Sequence, residues 1–412
     1  MKSSSKKIDL SLVLLVAFID WMGIGLVYPM FSSMLFSRET TLLPLATSDT
    51  MRGLVLGLML AAMPIAQFFS APLMGALSDQ RGRKPILNIT LAAGIVGYIL
   101  ATFGVSLESI ALLIIARVVV GISAGNGAVV TAAIADLSTP EEKAKNFGLF
   151  NMACGVGFTL GPFIGGQLTL GKTSFLPPFA LPFIFAAGVT AANLFLVYFY
   201  FRETHKQPKK AEFRLNQGWS NLKKAMHMPQ LRQVFFCVFF FGFGWSFFYE
   251  FIPVTWIGLY GFGASMIGLF YAYGAAVYAL SCGLLIRPLV TRFSPERILF
   301  SALVAMSLYM LLQLLRFPSA VLWLYLAPLN FLGALIYPTA TTIVSSNAGE
   351  DMQGEALGIF QSVISAAFAL SPLVSGSLLG ISNQMPSIVG SICLFLAAIP
   401  IGKHLFLKKQ HE

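Results

Sequence analysis

The chain has 412 residues, of which 57% are apolar and only 11% charged, with a net charge of +10. An average soluble domain is roughly one-quarter charged, so this composition excludes an ordinary water-soluble globule. Cys154, Cys237, Cys282 and Cys393 are scattered through apolar stretches without paired spacing or histidine neighbours, which argues against a disulfide framework or a zinc site.

A bilayer core about 30 Å thick takes roughly 20 apolar residues per helical span, and runs of that length recur from end to end. Twelve spans are read, at 8–36, 53–78, 86–106, 109–137, 144–170, 180–202, 230–258, 264–288, 297–315, 320–346, 354–380 and 386–407. Continuous runs such as Leu10 to Ala17 lack the alternation of a barrel strand, and lipid leaves unpaired backbone groups no other solution than a helix. The expected fold is all-α, with twelve transmembrane helices in two six-helix pseudo-symmetric bundles: 1–202, a connector at 203–229, and 230–412.

Lys2, Lys6 and Lys7 precede an apolar run with no small-residue cleavage site, so the first span is read as uncleaved. Inside it, FIDWMGIGLVYP places Asp20 before Gly23, Gly25 and Pro29. Asp20 is about eleven residues from the end of the span, near the bilayer middle, where a carboxylate costs about 2.5–3.5 kcal/mol. A pocket that changes its access to water can load and release a proton there.

Between spans two and three runs GALSDQRGRKP, Gly75 to Pro85. Gly75 and Gly82 permit a tight turn, Arg81, Arg83 and Lys84 hold the loop on the cytoplasmic side, and Asp79 offers a carboxylate to a helix N-terminus. This loop resembles the signature of the major facilitator superfamily. The resemblance implies that Asp79 docks at the start of span eleven, near Gly354, in the outward-open state. Asp136, ending span four, is expected to join the same charge cluster.

Span four carries Arg117 in ARVVVGISAGNG, which resembles the buried arginine the superfamily uses in proton coupling; a static ion pair is the structural alternative. Span five reads GVGFTLGPFIGG. Gly157, Gly161 and Gly165 lie four apart on one face and allow close helix contact, and Pro162 removes a backbone bond. This stretch resembles the motif of the superfamily's proton-exchanging exporters, and span one resembles that of its tetracycline and multidrug antiporters. Asn126, Asn151, Asn330 and Gln361 are candidate substrate-binding polar groups, each of which also suits an interhelical hydrogen bond.

The stretch Glu203 to Pro229, containing KQPKK, reads as a cytoplasmic, partly amphipathic connector. Span seven then presents Glu250 among Phe243, Trp245, Phe247, Phe248, Tyr249 and Phe251. Glu250 is a second candidate for titration or for attracting a cation, and Trp245, Phe248 and Tyr249 are candidate contacts for an apolar substrate. The counterpart of the signature loop, GLLIRPLVTRF from Gly283, keeps Gly283, Arg287 and Arg292 but has no acid.

Gly148, Leu149 and Phe150 match Gly358, Ile359 and Phe360, and Gly161–Pro162 matches Ser371–Pro372, each at an offset of 210 residues. The repeat joins spans five and eleven, which run in the same direction, so the halves are expected to be parallel repeats. Twenty-two of the 27 basic residues fall on one face, while Arg38, Arg52, Lys172 and Arg316 take the other and Arg117 stays inside a span. Both termini are therefore expected in the cytoplasm of an inner-membrane protein.

No GxxxxGK[ST] phosphate loop is present, so transport would draw on an ion gradient rather than ATP. The expected function is proton-coupled antiport that exports a lipophilic or cationic small molecule by alternating access. Its partners would be the substrate, protons and membrane lipid, with no cofactor, no metal and no nucleic acid, and the chain is expected to be a monomer. The rivals are a same-fold facilitator or symporter for a specific metabolite or siderophore and, in another class, a membrane receptor or embedded enzyme, for which no nucleophile–base pair or sensory domain is found.

Overall fold

A computed structural model describes residues 2–37, 42–171, 176–205, 217–228, 231–348 and 352–411. The KQPKK stretch of the connector, Arg38 and Lys172 lie outside them. In the N-terminal half the helices are α1 (Lys2–Phe36), α2 (Asp49–Arg81), α3 (Arg83–Ser106), α4 (Ile110–Ala124), α5 (Gly127–Leu137), α6 (Pro140–Leu168) and α7 (Leu181–Tyr200). A short α8 (Gln217–His227) precedes α9 (Arg232–Tyr260), α10 (Ala264–Leu280), α11 (Ile286–Val290), α12 (Pro295–Leu311), α13 (Val321–Asn347), α14 (Gln353–Leu378) and α15 (Met385–His411).

Among the described residues, eleven helical stretches are long and apolar enough to cross a membrane. The eighth expected span is α10, shorter by itself, and it runs on through a π-helical turn at Ser281–Leu285 into α11. The fourth span is α4 and α5 together, interrupted at Gly125–Asn126. Helix starts follow local chemistry: Ser109 accepts from the Leu112 amide at 3.3 Å, and Thr139 with Glu142 forms a reciprocal cap ahead of Pro140.

Packing divides the chain into two compact units, one of Met1–Leu45, Ala62–Gln217 and Gly263–Ala272, the other of Ala46–Ala61, Gly218–Phe262 and Tyr273–Glu412. In the first, α1 lies along α6. A Cβ on Gly157, Gly161 or Gly165 would run into the backbone oxygens of Phe18, Met22 and Leu26 respectively, and one on Gly25 would meet Cδ of Pro162 at 2.8 Å. The glycine stripe of span five is thus the groove that receives α1, at backbone contact. The start of α10 packs on the same helix, with Gly268 against Pro162 and Gly166 against Ala264.

The second unit repeats this arrangement. The first turns of α2 cross α14, with Gly57 against Pro372 and Gly53 against Gly376. Gly166 and Gly376 stand at the same 210-residue offset that links Pro162 to Pro372, so the internal repeat carries a helix crossing as well as a sequence. Elsewhere in the unit α9 packs on α15, where Gly244 and Gly390 face each other's backbone. Phe247, Phe248 and Phe251 fill its core.

Candidate functional site: an acid-lined cavity in the first unit

Asp20 is half-buried in the middle of α1 and opens onto a cavity of about 40 Å³, room for a few water molecules. Trp21, Ile24, Gln67, Asn126, Val130 and Phe150 are among its walls. The break between α4 and α5 contributes a polar group, Asn126, to a mostly apolar wall. Gly125 and Asn126 interrupt the helix, and α2 supplies partners for the freed carbonyls: Gln67 Nε2 donates to Ala124 O at 3.1 Å and Ser70 Oγ to Gly121 O at 3.2 Å. A side chain on Gly125 would collide with Ser70, so the interruption and the α2 contact require each other. Asn126 is 1% exposed. It lines the same cavity as Asp20.

Arg117 is buried on α4, with its guanidinium 5.6 Å from the centre of the Phe31 ring. Tyr98 of α3 lies within electrostatic range of both Arg117 and Asp20. The Tyr98 ring is buried, and its hydroxyl occupies the place where a Cβ on Gly23 would stand. From there it interacts electrostatically with both Asp20 and Arg117. Gly23 lies three residues after Asp20, on a neighbouring part of the α1 surface.

At one end of the same unit the signature loop forms a charge cluster. Arg83 is 5% exposed, and it donates from Nη1 to Asp79 at 2.7 Å and to Ser78 Oγ at 2.6 Å, and from Nε to Asp136 at 3.0 Å. Gly82 takes a left-handed φ of 97°, which a side chain would resist. Directly above it, Glu203 accepts from the backbone amides of Arg83 and Lys84 at 2.8 and 3.0 Å. These are two of the donors that open α3, and the carboxylate meets the positive end of the helix. Gly75 sits at ordinary contact distance from Ala128.

The candidates of the second unit have other surroundings. Glu250 is 4% exposed, flanked on α9 by the buried Phe247, Phe248 and Phe251. Trp245 lies 5.9 Å from Phe248 and 5.5 Å from Tyr249, ring centre to ring centre. Asn330 is buried, donates to Leu326 O at 2.9 Å and packs on Gly274. Gln361 is exposed and accepts from the Tyr337 hydroxyl at 3.1 Å, and Asn151 is exposed on α6.

The geometry brings Asp20 and Asn126 to one cavity, with Tyr98 within electrostatic range of both Asp20 and Arg117, and gathers Asp79, Arg83 and Asp136 with Gly82 and Lys84. Sequence reading missed Tyr98, Gln67 and Glu203. The signals were present but faint: a glycine three residues after a membrane aspartate, a glutamine in an apolar span, and an acid immediately after span six.

The family model of the Major Facilitator Superfamily matches residues 12–409. The tetracycline resistance protein, class C, of Escherichia coli is 30% identical over 402 residues, covering 93% of both chains. Multidrug resistance protein 1 of Bacillus subtilis (strain 168) is 29% identical over 394 residues, 94% of both. A D-xylose–proton symporter of known structure superposes with a TM-score of 0.77 at 15% identity over 95% of this chain and 96% of that one, a likeness of fold. Together with the twelve-span helical architecture, these matches establish that the chain is a multi-pass membrane transport protein belonging to the Major Facilitator Superfamily.

Proposed function

We propose that the protein is a proton-coupled antiporter that exports a lipophilic or cationic small molecule, with Asp20 as the group that carries the coupled proton. The observation that supports this most directly is a mid-span carboxyl on the wall of a water-sized cavity, where a proton can reach it and leave it. Trp21 and Phe150 give the cavity aromatic surface, while Gln67 and Asn126 give it hydrogen-bonding edges. Opened wider during turnover, that combination would suit a mostly apolar ligand with one cationic or polar group. The relatives' names, tetracycline resistance and multidrug resistance, agree with efflux of such compounds.

In this reading Arg117 and Tyr98 set the field in which Asp20 gains and loses its proton. Glu250, with Trp245, Phe248 and Tyr249, supplies a second acidic and aromatic surface; Asn151, Asn330 and Gln361 offer further polar contacts. The Asp79–Arg83–Asp136 cluster, with Gly82, Lys84 and Gly75, acts as the conformational latch, and the Gly157, Gly161, Pro162 and Gly165 groove lets α1 move with α6. The protein would work as a monomer in the inner membrane, with both termini cytoplasmic.

The test is transport of ethidium, a lipophilic cation, and of tetracycline into proteoliposomes with an acidic lumen. Wild-type protein is expected to accumulate at least one of them against its gradient, and Asp20→Asn to reduce this to the rate of protein-free liposomes. Uphill accumulation by Asp20→Asn would overturn the assignment of the proton to Asp20. Uptake that follows the opposite proton gradient would replace antiport by symport.

A further inference from the structure

Helix α8 lies in the connector and carries two different faces. On one, Gly218 and Ala225 are buried, Asn221 Nδ2 donates to Ser362 Oγ at 3.0 Å, and Lys224 pairs with Glu355. Both partners belong to the opening turns of α14, and the apolar span of that helix begins at Glu355. Two polar ties therefore hold α8 against the opening turns of α14, where its apolar stretch begins.

The other face is out of keeping with water. Trp219 and Met226 are 60% and 66% exposed. Seven residues apart, they fall on one side of the helix, with exposed Lys223 between them. A tryptophan and a methionine flanking a lysine make the pattern of a helix lying in the interfacial plane, with rings and thioethers among the upper acyl carbons and ammonium groups on phosphate. Charge agrees: α8 has Lys223 and Lys224 and no acid, and Lys206, Lys209, Lys210 and Arg214 precede it in sequence against a single intervening acid, Glu212. Lys224 is already matched by Glu355, which leaves Lys223 as the cation of α8 facing outward beside the apolar pair.

We propose that this face of α8 docks on the membrane surface, with Trp219 and Met226 set into the headgroup–acyl boundary and Lys223 on an anionic phospholipid headgroup. The tie to Glu355 then joins the lipid surface to α14. Polybasic segments next to a span are attracted to anionic leaflets; here the attraction has a fixed helix to act on.

The experiment uses the full chain in nanodiscs of phosphatidylcholine, with or without phosphatidylglycerol, and reads Trp219 as the difference in emission between wild type and Trp219→Phe. Lipid brominated near the headgroup is expected to quench this difference signal at least about twofold more than aqueous acrylamide does. Phosphatidylglycerol should strengthen the lipid quenching, and Lys223→Glu should remove that dependence. Quenching by acrylamide alone would show a water-facing helix and overturn the proposal. A signal reached by neither quencher would place protein over the face and overturn it too. Lipid quenching that ignores phosphatidylglycerol would overturn the headgroup assignment. None of these readings depends on whether the protein exchanges protons.

Discussion

Asp20 and Glu250 are both acids within apolar helices, yet the fold treats them differently. Asp20 sits on a helix whose neighbours are thin: Gly23 admits a tyrosine hydroxyl, Gly25 admits Pro162, and the backbone of α1 rests in the glycine groove of α6. Space remains beside it, and the nearby break in span four sets Asn126 into its otherwise mostly apolar lining. Glu250 sits on a helix of large rings, with Phe247, Phe248 and Phe251 at 0–1% exposure around it, and its neighbours engage it. Close packing of bulky side chains leaves few voids larger than water. An ionisable group in a span is a candidate by virtue of its cost, but the room left beside it decides whether it can exchange a proton during turnover.

The widest separation between the two regions should appear in transport. Where Asp20→Asn is expected to abolish uphill movement, Glu250→Gln keeps the shape and the hydrogen-bonding capacity of its side chain. It should slow uphill transport by less than about tenfold, about 1.4 kcal/mol in the barrier. The measurement is the initial rate of uphill ethidium or tetracycline uptake in the same proteoliposomes. Equal losses from the two substitutions would erase the contrast and give both acids a share of the coupled step.

A second measurement sharpens the Asp20 side. Gly23→Ala should destabilise the protein, because its Cβ would fall on the Tyr98 hydroxyl; with Tyr98→Phe the nearest remaining ring atom stands at 3.2 Å. The double variant should therefore lose less than the sum of the single ones, with a coupling of about 1–2 kcal/mol read from thermal unfolding in detergent. Additive losses would mean that the hydroxyl does not fill the notch at Gly23. The Tyr98→Phe variant, if its melting temperature stays near wild type, also isolates what the hydroxyl contributes to uphill transport.

Much of this was legible in the sequence, for physical reasons that differ by residue. Spans are announced by length and hydropathy, since lipid admits only helices and closed barrels and continuous apolar runs of this length fit the first. The Gly157–Gly161–Gly165 stripe declared a close helix contact by its spacing, though not that α1 would fill it. Arg83 was visible as one of several positive charges in a loop; that it would be 5% exposed and bound by Asp79 and Asp136 depends on three segments meeting. Tyr98 was unreadable because an aromatic residue in a span is ordinary, and its role comes from a glycine 75 positions away. Glu203 was hidden similarly: nothing local shows that an acid ending span six will cap the helix that begins at Arg83.

The finest test compares two asparagines, one from each region. Asn330 spends its amide on Leu326 O and packs against Gly274. Asn330→Ala removes one internal hydrogen bond and some packing, and should lower stability by about 1 kcal/mol with transport nearly unchanged. Asn126 caps no helix end with its side chain and lines the same cavity as Asp20. Asn126→Ala changes the cavity lining near the proposed proton carrier and little of the fold, so its effect should fall on uphill transport and leave the melting temperature close to wild type. The two variants should thus separate along different axes, one in thermal unfolding and the other in proteoliposome uptake. If Asn126→Ala instead melts early and transports normally, the polar wall beside Asp20 is a structural seam, and the cavity owes its chemistry to the carboxyl alone.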